Sequence, residues 1–161
     1  MNKTIIIYHS YTQNTEKVAN MIKEQLGCDT LKLNPKKPFS TDYQSVVDEW
    51  QNNSIKDEIE IEDINIDLSK YDNIILGSPI WWYTITPVIS TFLKKYNLEG
   101  KNIYPFVTSA GWFGHSFVDI KKLCKNANVK SGLQVTFDED YNLHKIVASK
   151  PKIEDWVNSI K

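Results

Sequence analysis

Short apolar runs alternate along the whole chain with stretches whose apolar residues recur every three or four positions. Thr4 to His9 holds Ile5-Ile6-Ile7 without a polar break, which predicts a strand buried on both faces. Asn14 to Leu26 places Val18, Ala19, Met21, Ile22 and Leu26 at amphipathic-helix spacing, and Gly27 follows as a stop. Cys28 to Leu33 predicts a second strand. A polar, proline-bearing connection, Asn34-Pro35-Lys36-Lys37-Pro38, then leads to a predicted helix from about Thr41 to Asn52. Asn73 to Gly77 reads as the third strand, and Pro87 to Tyr96 as a helix entered through a proline at a favoured first-turn position. Asn102 to Thr108, Ser116 to Lys125, Ser131 to Phe137 and Pro151 to Ile160 continue as strand, helix, strand and helix. Five strands alternating with five helices predict an α/β fold, a doubly wound parallel sheet with helices on both faces.

One segment has no clear period. Between Lys56 and Asp67 six carboxylates (Asp57, Glu58, Glu60, Glu62, Asp63 and Asp67) interleave with isoleucines, as expected of either a solvated linker or an irregular strand. At 161 residues the chain is expected to form a single domain spanning residues 1–161, with 41% hydrophobic and 24% charged residues as in ordinary globular proteins. The formal net charge of −1 carries no nucleic-acid signature, and the opening apolar run is far too short for a signal peptide or a membrane span. Cys28 and Cys124 form no CxxC pair, so neither a metal site nor a redox dithiol is indicated, and a cytoplasmic location is expected. All 19 basic residues are lysines. Without arginine, any phosphate must be held by backbone amides and hydroxyls.

The candidate chemistry lies where strands end. After the first strand comes Ser10-Tyr11-Thr12-Gln13-Asn14-Thr15, with a helix starting inside the string. Hydroxyl and amide side chains together with the free amides of a helix N-terminus make an anion site without a cationic side chain. Simple N-capping needs only one of these residues. A Walker loop and a dinucleotide fingerprint are both absent, since the loop has neither Gly-Lys-Ser/Thr nor three spaced glycines. After the third strand, Gly77-Ser78-Pro79-Ile80-Trp81-Trp82-Tyr83 sets three aromatics in a row. Pro79 before them and Thr84-Ile85-Thr86-Pro87 after them predict a loop rather than a longer strand. Aromatic loops outside the carboxyl ends of strands are where open α/β sheets bind planar ligands.

With these loops in place the sequence resembles the flavodoxin family, in particular its short members. Ser10 to Thr15 resembles the family's FMN phosphate loop, with Gln13 standing where a glycine is usual. Gly77 to Tyr83 is similar to the second flavin loop of a Gly-x-Pro-Ile-Trp-Trp subgroup, and Thr108-Ser109-Ala110-Gly111-Trp112-Phe113-Gly114 falls where the third flavin loop lies. The resemblance implies a flavodoxin-like five-stranded sheet of order 2-1-3-4-5 with strands one, three and four side by side. It implies FMN as cofactor, held at Ser10, Tyr11, Thr12, Gln13, Asn14 and Thr15 through its phosphate. Around the ring it implies Pro79, Ile80, Trp81, Trp82, Tyr83, Ser109, Ala110, Gly111, Trp112 and Gly114. An apolar aromatic wall would then disfavour the anionic reduced flavin.

No catalytic residue and no metal ligand is assigned. The leading expectation is an electron carrier between redox protein partners, a reductase and an acceptor. The alternatives are an FMN-dependent NAD(P)H:quinone or small-acceptor oxidoreductase and a cofactor-free binding module. His115 follows Gly114 at a helix start, where it is either a plain polar residue or a proton donor to a quinone-like acceptor. His9 is expected to fill its strand end rather than offer charge to a phosphate, His144 to be exposed, and the acidic 56–67 segment to be a connection rather than a steering patch for a basic partner. Lysine, asparagine and isoleucine in place of arginine and alanine suggest a bacterial genome rich in AT.

Overall fold

The computed structural model describes residues 3–10, 14–36, 59–81, 84–109, 114–136 and 150–160. In chain order the elements are β1 (Thr4–Tyr8), α1 (Asn14–Leu26), β2 (Asp29–Lys32), a 3-10 turn (Leu68–Lys70), β3 (Asn73–Trp81), β4 (Thr84–Ile85), α2 (Pro87–Lys95), β5 (Asn102–Ser109), α3 (Ser116–Leu123), β6 (Asn128–Val129), β7 (Leu133–Thr136) and α4 (Lys150–Asn158). The helix expected over Thr41 to Asn52 and the His144 region lie outside the described residues.

β1 is parallel to β2 on one side and β3 on the other, and β3 is parallel to β5, so the sheet runs β2-β1-β3-β5. The side chains of β1 alternate between two cores, which is why an unbroken isoleucine run suits a central strand. Ile5 and Ile7 join Ile74 and Leu76 beneath Val88, Ile89 and Phe92 of α2 and Ile120 of α3. Ile6 joins Ile75 and Phe106 beneath Val18, Ala19 and Ile22 of α1 and Ile153 and Val157 of α4. α1 ends as expected at Gly27, whose φ of 67° suits glycine and whose N–H reaches Lys23 O at 2.7 Å.

The doubly wound sheet matches the expected fold, with its fifth position divided. β6 pairs with Asn102 and Ile103, β7 pairs with Phe106 to Ser109, and the ladder is interrupted between them. Pro105 explains the break. Ile103 turns its carbonyl to this edge and accepts Lys130 N–H at 2.8 Å. Two residues on, Pro105 faces the same edge with no N–H to offer. The crossing residues are fixed instead by Trp156 Nε1, which donates to Ser131 O at 3.0 Å, and by Gly132, where a Cβ would lie 2.4 Å from the Phe117 ring.

The described part of the acidic segment is an irregular extended strip. Ile61 is buried and bridges Pro35 antiparallel, while Ile59, Ile64 and Ile66 pack against the same core. Glu60, Glu62 and Asp63 point to solvent. The isoleucines therefore serve as a partial lid on the sheet, closer to the irregular strand than to a solvated linker. Cys124 is buried, and desolvation pushes its thiol up to about 11; Cys28 is half-buried, and burial likewise raises it. Neither is disulfide-bonded.

Candidate functional site

The register brings three strand ends side by side. Tyr8 is level with Gly77, Gly77 with Phe106, and Pro79 with Thr108, so the chain leaving β1, β3 and β5 emerges at one edge of the sheet. Of the sequence-predicted site residues, Ser10, Asn14, Thr15, Pro79, Ile80, Trp81, Ser109 and Gly114 are at this edge. Tyr11, Thr12, Gln13, Trp82, Tyr83, Ala110, Gly111 and Trp112 lie outside the described residues.

The first loop opens onto the N-terminus of α1. Ser10 Oγ accepts the N–H of Glu16 at 3.2 Å, which ties the residues after β1 to the first turn of the helix and leaves the Ser10 O–H able to donate. Thr15 is buried, with its Oγ1 2.8 Å from Thr108 Oγ1, so the start of α1 is bonded to the end of β5. The nearby charges compensate one another. Glu16 in the first turn of α1 accepts Tyr8 OH at 3.3 Å and lies 3.7 Å from Lys32 Nζ. Burial, and then the Glu16 carboxylate, pushes the Tyr8 phenol up to about 12.

The second loop differs from expectation. β3 does not stop at Gly77 but runs on through Pro79 and Ile80 to Trp81, then turns back as β4 with Ile80 opposite Ile85 and Trp81 opposite Thr84. The predicted loop is therefore an antiparallel hairpin. Pro79 is tolerated because it faces the β1 side, as Gly77 does in accepting His9 N–H, and the β1–β3 ladder has already ended at the Tyr8–Gly77 pair, so no ladder bond is lost. Ser78 stabilises the hairpin base, since its hydroxyl donates to Pro79 O at 2.8 Å and accepts Thr86 N–H at 3.1 Å. Gly77 has a packing reason rather than a turn reason: a Cβ there would stand 2.2 Å from Cζ of Phe106.

His9 joins the first two loops. It is 3% exposed, its Nδ1 is 2.9 Å from Thr86 Oγ1, and the Trp81 ring meets it edge-on at 5.8 Å and 78°. Burial, aided by the Lys32 charge, lowers its pKa to about 3. The imidazole is therefore neutral near pH 7 and fills the strand end, as expected, rather than offering charge to an anion.

The third loop returns at Gly114, whose φ of 59° favours glycine, and enters α3 at His115. His115 Nδ1 is 2.5 Å from Asp119 Oδ2, and Thr84 donates its hydroxyl to the same oxygen. Thr84, Thr86, Thr108 and Asp119 did not stand out as site residues in the sequence. Only the spacing of four between His115 and Asp119 hints at one of these contacts, because the rest cross between segments.

The family model for flavodoxin matches residues 3–160. The chain belongs to the flavodoxin family. Among solved structures, a flavoprotein from Lactobacillus acidophilus in complex with FMN is 27% identical, with TM-score 0.73 over 83% of this chain and 93% of the other. A candidate flavoprotein from Bacteroides eggerthii is also 27% identical, with TM-score 0.78 over 99% and 98%. One from Bacteroides uniformis, 21% identical at TM-score 0.79 over 98% of both chains, shares the fold. No curated protein matches the sequence significantly.

In this member of the family the donor set suits a phosphoryl group with a planar ring beside it. The helix amides and the Ser10 hydroxyl supply uncharged donors for an anion, and Lys32 is paired with Glu16. Trp81, half-buried and backed by a neutral imidazole, offers an aromatic surface next to that donor set. Among the described residues no cluster of His, Cys, Asp and Glu could hold a metal ion, and no helix is long and apolar enough to cross a membrane.

Proposed function

We propose that this protein binds FMN at the β1, β3 and β5 strand ends and carries electrons between a reductase and an acceptor protein. The observation that carries this reading is the Thr15–Thr108 hydrogen bond. It sets the start of α1 directly beside the end of β5, with the Trp81 hairpin emerging from the strand between them. Ser10, Thr12, Asn14 and the first amides of α1 would hold the phosphate, and Trp81, Trp82, Tyr83 and Trp112 would flank the ring. FMN when bound supplies one- and two-electron redox chemistry; the protein orients the ring, covers its faces and sets the electrostatics around it.

A second reading is an FMN-dependent NAD(P)H oxidoreductase acting on a quinone or similar small acceptor. It is favoured by one feature, the His115–Asp119 pair beside the third loop, with the His115 side chain 60% exposed to any acceptor that takes up protons with electrons.

Titrating the purified apoprotein with FMN and with riboflavin tests the shared core of both readings. Tight FMN binding with flavin-type visible absorbance is expected, and absence of binding to either compound overturns both. Thr12→Ala is expected to weaken FMN far more than riboflavin. Equal losses would overturn the phosphate assignment. Stopped-flow reduction then separates the readings, since slow direct oxidation of NADH or NADPH with fast exchange through a partner reductase fits the carrier alone.

A further inference from the structure

Two of the three loops meet at a single carboxylate oxygen. Asp119 Oδ2 accepts the Thr84 hydroxyl and lies 2.5 Å from His115 Nδ1. Thr84 is the cross-strand partner of Trp81 in the hairpin, and His115 is the residue through which the third loop enters α3. Asp119 thus touches one residue from each of the two segments expected to flank a flavin ring and, among the described residues, none of those expected to hold its phosphate.

The bland reading of a His–Asp pair spaced i,i+4 on a helix is a surface ion pair of little consequence. Three observations argue for more. The Thr84 hydroxyl comes from a different element and is 7% exposed, so its bond to Asp119 closes a tertiary contact rather than decorating a helix surface. The hydrogen bonds of the carboxylate go to the side chains of Thr84 and His115 and not to backbone amides of the first turn of α3, so it does not act as a helix cap. β4 has only two residues, so the hairpin has little ladder of its own and depends on such anchors.

We propose that Asp119 is a positioning residue that clamps the Trp81 hairpin to the start of α3 and so fixes the ring-side half of the cofactor site. The phosphate-side half is held separately by Thr15 and Thr108. The clamp rests on the FMN reading for its consequence in binding, but not for its existence in the apoprotein.

Two sets of measurements test it on the full chain. In the apoprotein, Asp119→Ala and Thr84→Val are each expected to speed amide hydrogen exchange in residues 78–86 while leaving the amides of α1 unchanged. In the holoprotein, Asp119→Ala is expected to weaken FMN and riboflavin by the same factor, roughly tenfold, as one charge-assisted hydrogen bond carries. The same variant should shift the visible absorption of the bound flavin. Asp119→Asn, which keeps an oxygen able to accept from both partners, is expected to restore most of the affinity and the wild-type spectrum. Unchanged exchange in the hairpin in both variants would overturn the clamp. So would a loss confined to FMN, which would place Asp119 on the phosphate side, or an Asp119→Asn protein no better than Asp119→Ala. If the wild-type protein binds neither flavin, the proposed function fails while the exchange measurement still decides the clamp.

Discussion

Replacing His9 should remove a specific part of the protein's acid sensitivity. The imidazole is 3% exposed, and burial together with the Lys32 charge lowers its pKa from 6.5 to about 3. Below pH 6.5 the unfolded chain binds a proton at this residue and the folded chain does not, so the neutral site contributes stability that is complete above pH 6.5 and is lost as pH falls toward 3. The slope is ~1.4 kcal/mol per pH unit within that window. Between pH 7 and pH 5 the loss is about 2 kcal/mol once the partial protonation of the unfolded chain near pH 7 is included. Urea denaturation of the apoprotein at both pH values, for wild type and His9→Asn, measures it. Asparagine keeps a polar atom near the Nδ1 position for Thr86 but has no group that titrates here. The variant should be less stable at pH 7, because the edge contact with Trp81 is gone. It should nevertheless lose about 2 kcal/mol less than wild type on going to pH 5. His115, His144 and the carboxylates are common to both proteins and cancel in the difference. Parallel pH dependences, or a His9 imidazole resonance titrating near 6.5, would refute the reasoning.

Gly77→Ala should destabilise by about 1–3 kcal/mol in urea denaturation, because a Cβ would meet the Phe106 ring at 2.2 Å. Phe106→Leu on the Gly77→Ala background should recover part of that loss, and no recovery would mean the strain lies elsewhere. Thr15→Val or Thr108→Val alone should each cost about 1–3 kcal/mol by leaving a buried hydroxyl unpaired, whereas the double valine variant should cost less than the sum of the two. Additive losses in that double-mutant cycle would show that the 2.8 Å contact contributes nothing to stability.

Much of the molecule was legible in the one-dimensional pattern. Ile5-Ile6-Ile7 and Ile74-Ile75-Leu76 announce strands buried on both faces, since each successive side chain enters the opposite core and neither face tolerates a polar residue. The amphipathic period of α1, its stop at Gly27 and the entry of α2 through Pro87 were likewise local signals that tertiary packing left in place. The hydroxyl-rich loop, the Trp81 segment and Gly114 marked the strand ends of the candidate site for the same reason: cap, turn and aromatic residues announce themselves by type and position.

Pairing between distant segments was not legible. The Trp81 segment was read as a loop because Pro79 disfavours strands. Whether a proline breaks a ladder depends on which neighbour its missing N–H faces, and here it faces β1, whose ladder with β3 has ended at Gly77. The fifth strand was read over Ser131 to Phe137, where β7 lies, and the short β6 ahead of it went unread because the break between the two is caused by Pro105, on another strand. Gly77 carried the sign of a turn but is required by a ring 29 positions later in the chain. His9–Thr86, Thr15–Thr108 and Thr84–Asp119 join residues 77, 93 and 35 positions apart. A threonine or aspartate does not record in its own neighbourhood which distant partner it will meet. The sequence by itself determined the layered sheet and the chemical character of its strand ends. Only the tertiary structure decided how those ends are bonded into one site, because such bonds are specified by the register between strands and not by local propensity.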